Sequence, residues 1–135
     1  MTLSQSLAEL PAFLLYFGFG LILFLVFAVV YVRITPYREL AMIRDGNMAA
    51  ALTLSGALLG FVLPLASAIA HSVSALDMVA WGVIALIVQT LVYLAVSRAV
   101  PHFRQAVEDG KVAPACLLAV VAVCIGLLNA AALTY

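Results

Sequence analysis

Any chemistry inside the apolar stretches of this chain falls to a few neutral polar side chains: Thr53, Ser55, Ser67, Gln89, Thr90 and Asn129. None of them titrates near neutral pH, so their chemistry is hydrogen bonding, to a solute, to an ion or to another helix. Pro64 adds a free acceptor, because it has no N–H to give to the carbonyl of Gly60 four residues earlier. Counted along their segments, Asn129 falls level with Pro64 and Ser67, and Gln89 falls level with Ser55. Pro64, Ser67, Gln89 and Asn129 are therefore the candidate lining of a small polar pocket. The competing reading is interhelical glue, worth about 0.6–2 kcal/mol per group, and that reading is preferred.

The other reactive residue types are poorly placed for joint action. His71 and His102 fall at opposite ends of the apolar segments, so they do not share a metal. Cys116 and Cys124 are separated by two helical turns, about 12 Å of rise, beyond the reach of a disulfide. They are expected to be small core residues. Asp77 is expected to cap the segment that follows it. There is no nucleophile–base pair, phosphate loop or metal-ligand spacing. No metal, no cofactor and no enzymatic role are expected.

The elements that must position these groups follow from composition. Of 135 residues, 67% are hydrophobic and only 9% charged, against about 25% charged in an ordinary soluble domain. A soluble enzyme, a nucleic-acid binder and a disordered segment are excluded. The bases fall in two short segments, Arg33, Arg38 and Arg44 in one and Arg98, Arg104 and Lys111 in the other. Between and around them run four uncharged stretches, Ala12–Val32, Met48–Ala70, Met78–Ser97 and Val112–Leu133. Each is long enough, at about 20 residues, to cross a bilayer as a helix, and in lipid a lone segment satisfies its backbone only as a helix. No Asp, Glu, His, Lys or Arg lies within them, which weighs against a buried proton relay.

The charge asymmetry sets the expected orientation. Basic loops stay in the cytoplasm, so both basic segments are read as cytoplasmic and both termini as lying outside. The six basic side chains are expected either to meet lipid phosphates or to sit on solvated elbows where they only set topology. Each basic segment should hold a short amphipathic helix. In the first, Thr35 caps, Pro36 opens the helix, Tyr37, Leu40, Ala41 and Ile43 form its apolar side, and Gly46 ends it. In the second, Pro101 opens, Phe103, Ala106 and Val107 face inward, and Gly110 ends it. The tail before the first span carries Leu3, Leu7 and Leu10 at helical spacing; it is expected to fray, the alternative being a segment lying on the outer membrane surface.

The chain reads as one membrane domain, residues 1–135, with two hairpins of one plan, about 12–70 and about 78–134. Trp81-Gly82 follows Phe17-Gly18 by the same 64 positions that separate Asp109-Gly110 from Asp45-Gly46. The fold class is all-α, a polytopic membrane protein with four transmembrane helices arranged as parallel hairpin repeats. Small residues mark the expected packing face: Gly56 and Gly60 on the second span, Ala119 and Gly126 on the fourth. Helix 1, rich in Phe, is expected to face lipid. Tyr16 and Trp81 should mark the outer interface, and Tyr31 and Tyr37 the inner one.

The stretch Arg44-Asp45-Gly46-Asn47-Met48-Ala49-Ala50-Ala51, with Gly56 and Gly60 after it, resembles the YjfL-type family of small bacterial inner-membrane proteins. The ending Gly126-Leu127-Leu128-Asn129-Ala130-Ala131 resembles it too, and the likeness covers about residues 14–134. The second turn carries Lys111 where the first has Asn47. The resemblance implies a four-helix protein of the bacterial inner membrane and no established activity. The functional expectation is a non-catalytic, self-associating membrane module that organises partners or responds to the state of the envelope. The alternative is a channel or small-solute transporter subunit. Expected partners are membrane lipids, further copies of the chain and other membrane proteins, and not nucleic acid.

Overall fold

A computed structural model describes residues 2–133; residue 134, the expected end of the second hairpin, lies outside them. Among the described residues seven helices follow one another: α1 (Leu3–Ala8), α2 (Leu10–Ile34), α3 (Glu39–Arg44), α4 (Met48–His71), α5 (Ala75–Ala99), α6 (Phe103–Glu108) and α7 (Val112–Ala132). There is no strand among the described residues. α2, α4, α5 and α7 are each long and apolar enough to cross a membrane. The chain is thus an all-helical, multi-pass membrane protein.

Local chemistry sets the helix ends. α3 and α6 stop at Gly46 and Gly110, both in the left-handed region with φ of +89° and +76°. Asn47 N–H and Lys111 N–H reach back to the carbonyls of Met42 and Ala106, each at 2.9 Å, which closes the last turn in a Schellman arrangement. Asn47 then caps α4, accepting from Ala50 N–H at 3.1 Å. α5 is capped by Ser74 and not by Asp77. Ser74 Oγ accepts from Asp77 N–H at 3.1 Å, while the Asp77 carboxylate accepts from Val73 N–H. Asp77 is the third helical residue of a box-like cap. The tail before the first span is helical, as α1, and opens on a Thr2–Gln5 capping box.

α4 is the centre of the bundle. It buries Ala49, Ala50, Thr53, Gly56, Ala57, Gly60, Phe61, Pro64, Leu65, Ser67 and Ala68. On one side its backbone meets α7. A Cβ added to Gly56 would collide with Ala119, one on Gly60 with the Ala122 carbonyl, and one on Gly126 with the Gly60 backbone. Lipid tails are as apolar as leucine, so close backbone packing, and not hydrophobic transfer, holds such a pair together. The carbonyl that Pro64 leaves without its helical donor is the one that Gly126 covers.

On its other side α4 receives α2 through aromatic rings. Phe27 and Phe61, both fully buried, stack at 4.5 Å between centroids. α2 otherwise faces outward, with Phe13, Phe17, Leu21 and Leu25 exposed. Tyr31 and Tyr37 correct the expected aromatic belt: they are 1% and 6% exposed, inside the bundle. Tyr31 lies edge-on to Tyr93 of α5, and Tyr93 lies edge-on to Phe103 of α6. Cys116 and Cys124 also depart from expectation. Both are exposed on the outer side of α7, because the inward face of that helix is taken by Ala115, Leu118, Ala122 and Gly126.

Candidate functional site

Two sets of polar groups are candidates, one within the spans and one at the end of the bundle that carries α3 and α6.

Within the spans, two of the polar side chains bond across a helix contact and two bond back to their own helix. Gln89, 1% exposed, reaches from α5 and donates through Nε2 to the Ala122 carbonyl at 3.1 Å. Ser67 on α4 donates to the Ala130 carbonyl at 2.9 Å. Thr90 and Thr53 bond back to their own helices, at Leu86 and Ala50. Asn129 is half-buried and its Nδ2 has no hydrogen-bond partner. Pro64 is buried on α4. Ser67 and Gln89 thus lie along the α4–α7 contact, each bonded to a different carbonyl of α7. Gly56, Gly60, Ala119 and Gly126 form the backbone contact beside them.

At the other set, Arg33, Arg38, Arg44, Arg98, Arg104 and Lys111 are all exposed around the same end of the bundle. Arg104 pairs with Glu108 one turn on, at 3.0 Å, in an exposed position. Asn47 ties the two loops together, donating through Nδ2 to the Val107 carbonyl at 2.9 Å. His71 is at the far end of α4, its Nδ1 2.9 Å from the Ser67 carbonyl. His102 is exposed beside α6, so the two histidines are as far apart as expected. Among the described residues no group of three or more His, Cys, Asp or Glu side chains converges on a metal site.

The residue that sequence reading missed is Glu39. The first loop does not turn helical at Pro36. Thr35 is held extended, at φ −73° and ψ 137°, as the residue before a proline tends to be. Its hydroxyl bonds back to Val32 and so belongs to the end of α2. Residues 35–39 then alternate: Thr35, Tyr37 and Glu39 point in, while Pro36 and Arg38 point out. The helix starts at Glu39, and Leu40, expected on the apolar side, is 60% exposed. Period two, not period 3.6, was the signal that could have found the inward carboxylate.

Glu39 is 0% exposed, and neither carboxylate oxygen has a hydrogen-bond partner. Burial pushes its carboxyl up to about 7, with Thr35 acting weakly the other way. The Tyr37 hydroxyl is also buried without a hydrogen-bond partner. Burial raises it above the ordinary tyrosine range, and the neighbouring Tyr93 and Glu39 add to the shift. Tyr31 joins the same cluster, donating to the Thr53 carbonyl at 3.4 Å. A cleft of ≈ 430 Å³ opens beside it, lined by Val32, Thr35, Tyr37, Glu39 and their neighbours.

The model of a family described as Domain of Unknown Function (DUF350) matches residues 5–133. The chain is 38% identical over 129 residues to the UPF0719 inner membrane protein YjfL of Escherichia coli (strain K12), covering 96% of this chain and 98% of that protein. It is 26% identical over 100 residues to the UPF0719 transmembrane protein YshE of Bacillus subtilis (strain 168), covering 74% of this chain and 72% of that one. No solved structure matches it.

Proposed function

The chain belongs to the DUF350 family, and from that premise we propose that it is a non-catalytic, self-associating module of the bacterial inner membrane. One observation carries this reading. The α4–α7 backbones touch, and Gln89 and Ser67 beside them bond to α7 carbonyls. Little polar surface is left through the middle of one copy for a solute path. The same arrangement argues against an active site within the spans. With basic loops retained inside, the end carrying α3 and α6 faces the cytoplasm and both termini face outward. The two loops, each closed by a left-handed glycine and joined through Asn47, are consistent with two hairpins of one plan.

Self-association is supported by small residues that packing within the chain does not use. A Cβ on Gly18 would meet nothing within 4 Å, and Cys116 and Cys124 face outward from α7. Small side chains on a lipid-facing surface let a second helix approach closely. The test is thiol crosslinking through the native cysteines in membranes, beside Gly18→Leu. Crosslinked dimers or higher species, reduced by Gly18→Leu, are expected. Monomer alone over a range of crosslinker lengths would overturn self-association. The competing reading, a channel or transporter subunit, requires a wetted path at an axis between copies.

A further inference from the structure

The cluster around Glu39 goes beyond a membrane module, because its buried groups are not satisfied by the chain. A carboxylate taken out of water needs partners or it neutralises. Protonation alone does not resolve the problem here. The acid would carry an O–H that also needs an acceptor, and neither oxygen of Glu39 makes a hydrogen bond, although the Thr35 hydroxyl lies close enough to act on it. Tyr37 Oη, buried nearby, is likewise unpartnered. The side-chain polar groups that cluster with it are hydroxyls, those of Thr35, Tyr31, Tyr37 and Tyr93, and the α2 end, whose last carbonyls face the same loop, lies next to Thr35. That helix end also carries the negative pole of the helix dipole, and helix C-terminal ends with backbone carbonyls are a recurring means of holding small cations in membrane proteins.

Charged groups near the site come from several elements. Arg33 belongs to α2, and Arg38 and Arg44 flank or end α3; all three are exposed, and no hydrogen bond or ion pair joins them to Glu39. Tyr31 and Tyr93 approach from α2 and α5, close enough to feel the carboxylate charge. One carboxylate among neutral oxygens suits a monovalent ion. A divalent ion of the calcium type takes more oxygen ligands, with several carboxylates among them.

We propose that Glu39, with the Tyr37 and Thr35 hydroxyls and the carbonyl end of α2, forms a binding site for an alkali-metal cation, reached through the cleft between α2 and α3. The bound ion would fasten the extended segment 35–38 against the bundle. The site lies at one end of the spans, so it requires no path across the membrane and stands or falls separately from self-association.

The experiment is thermal unfolding of the full chain in nanodiscs at about pH 8, in sodium, potassium or choline chloride at equal ionic strength. A saturable rise in Tm of roughly 3 °C or more is expected in sodium or potassium over choline. Glu39→Gln should abolish the difference and Tyr37→Phe should weaken it. At about pH 5, where the proton competes, the wild-type difference should vanish. Equal Tm values in choline and both alkali chlorides would overturn the site and leave a group that only takes up a proton or water. An alkali-specific rise retained in Glu39→Gln would overturn the assignment to this carboxylate.

Discussion

Gly126→Ala tests the backbone contact that organises the bundle. The added Cβ would lie 2.9 Å from both Cα and the carbonyl carbon of Gly60, and closer still to its oxygen. Carbon contacts relax at about 3.5–4.0 Å, so α4 and α7 must part locally by about 1 Å. All the obstructing atoms are backbone, so no side chain can rotate out of the way. Overpacking of this kind costs about 1–3 kcal/mol. Alanine recovers up to about 1 kcal/mol of helix propensity over glycine. The expected net loss is therefore about 0–2 kcal/mol against wild type, and about 1–3 kcal/mol against a glycine-to-alanine change that meets no obstruction. In a monomeric preparation Gly18→Ala is the matched control, since it gains the same propensity and meets nothing within 4 Å inside one copy. Equilibrium unfolding in bicelles, by steric trapping or by denaturing detergent, reads both variants against wild type. If Gly126→Ala proved as stable as Gly18→Ala, the close approach of α4 and α7 would be wrong.

Gln89→Leu should cost only about 0.6–1.7 kcal/mol in the same assay, because Gln89 makes one bond, to Ala122, while its Oε1 is unpartnered; a loss above about 3 kcal/mol would mean a larger polar network. Asn47→Ala removes both the cap on Ala50 and the tie to Val107. It should cost about 1–2 kcal/mol and speed amide exchange in α6; unchanged exchange there would show that the two loops are not joined. The raised carboxyl of Glu39 gives a signed pH dependence. Its folded value of about 7 exceeds its ordinary 4.5, so the folded state holds the proton longer. Its contribution is fully present below about pH 4.5 and is lost as pH rises to about 7, by about 3 kcal/mol. In choline buffer the wild-type stability should fall across that window and Glu39→Gln should be flatter; parallel profiles would show that Glu39 is not buried.

The spans were legible because charge alone marks them. The expected Met48–Ala70 and Val112–Leu133 became Met48–His71 and Val112–Ala132, and both loop glycines fell where a left-handed residue is needed. The faces were harder to read. In water an apolar stripe separates inside from outside, but lipid is as apolar as the core. The small residues Ala115, Ala119, Ala122 and Gly126 did mark the packing face of α7, but nothing in the pattern said that Cys116 and Cys124, also small, face out. The first loop failed for another reason. Pro36 suits both the first turn of a helix and an extended chain, and the helical choice placed Leu40 inward and left Glu39 among solvated charges. The bond from Thr35 back to Val32 decides between them, and it depends on the end of α2. Ser74, by contrast, was a readable cap three residues before Asp77.

The proposed reading, a membrane module and not a channel, predicts that the assembly does not conduct. The direct measurement is ion and small-solute flux through proteoliposomes containing the crosslinkable assembly, with empty liposomes alongside. Flux at the background level, unchanged by Gln89→Leu or by opening the bundle with Gly126→Ala, is the predicted result. Saturable flux above background that falls with Gln89→Leu would contradict the account and establish a path through the helices.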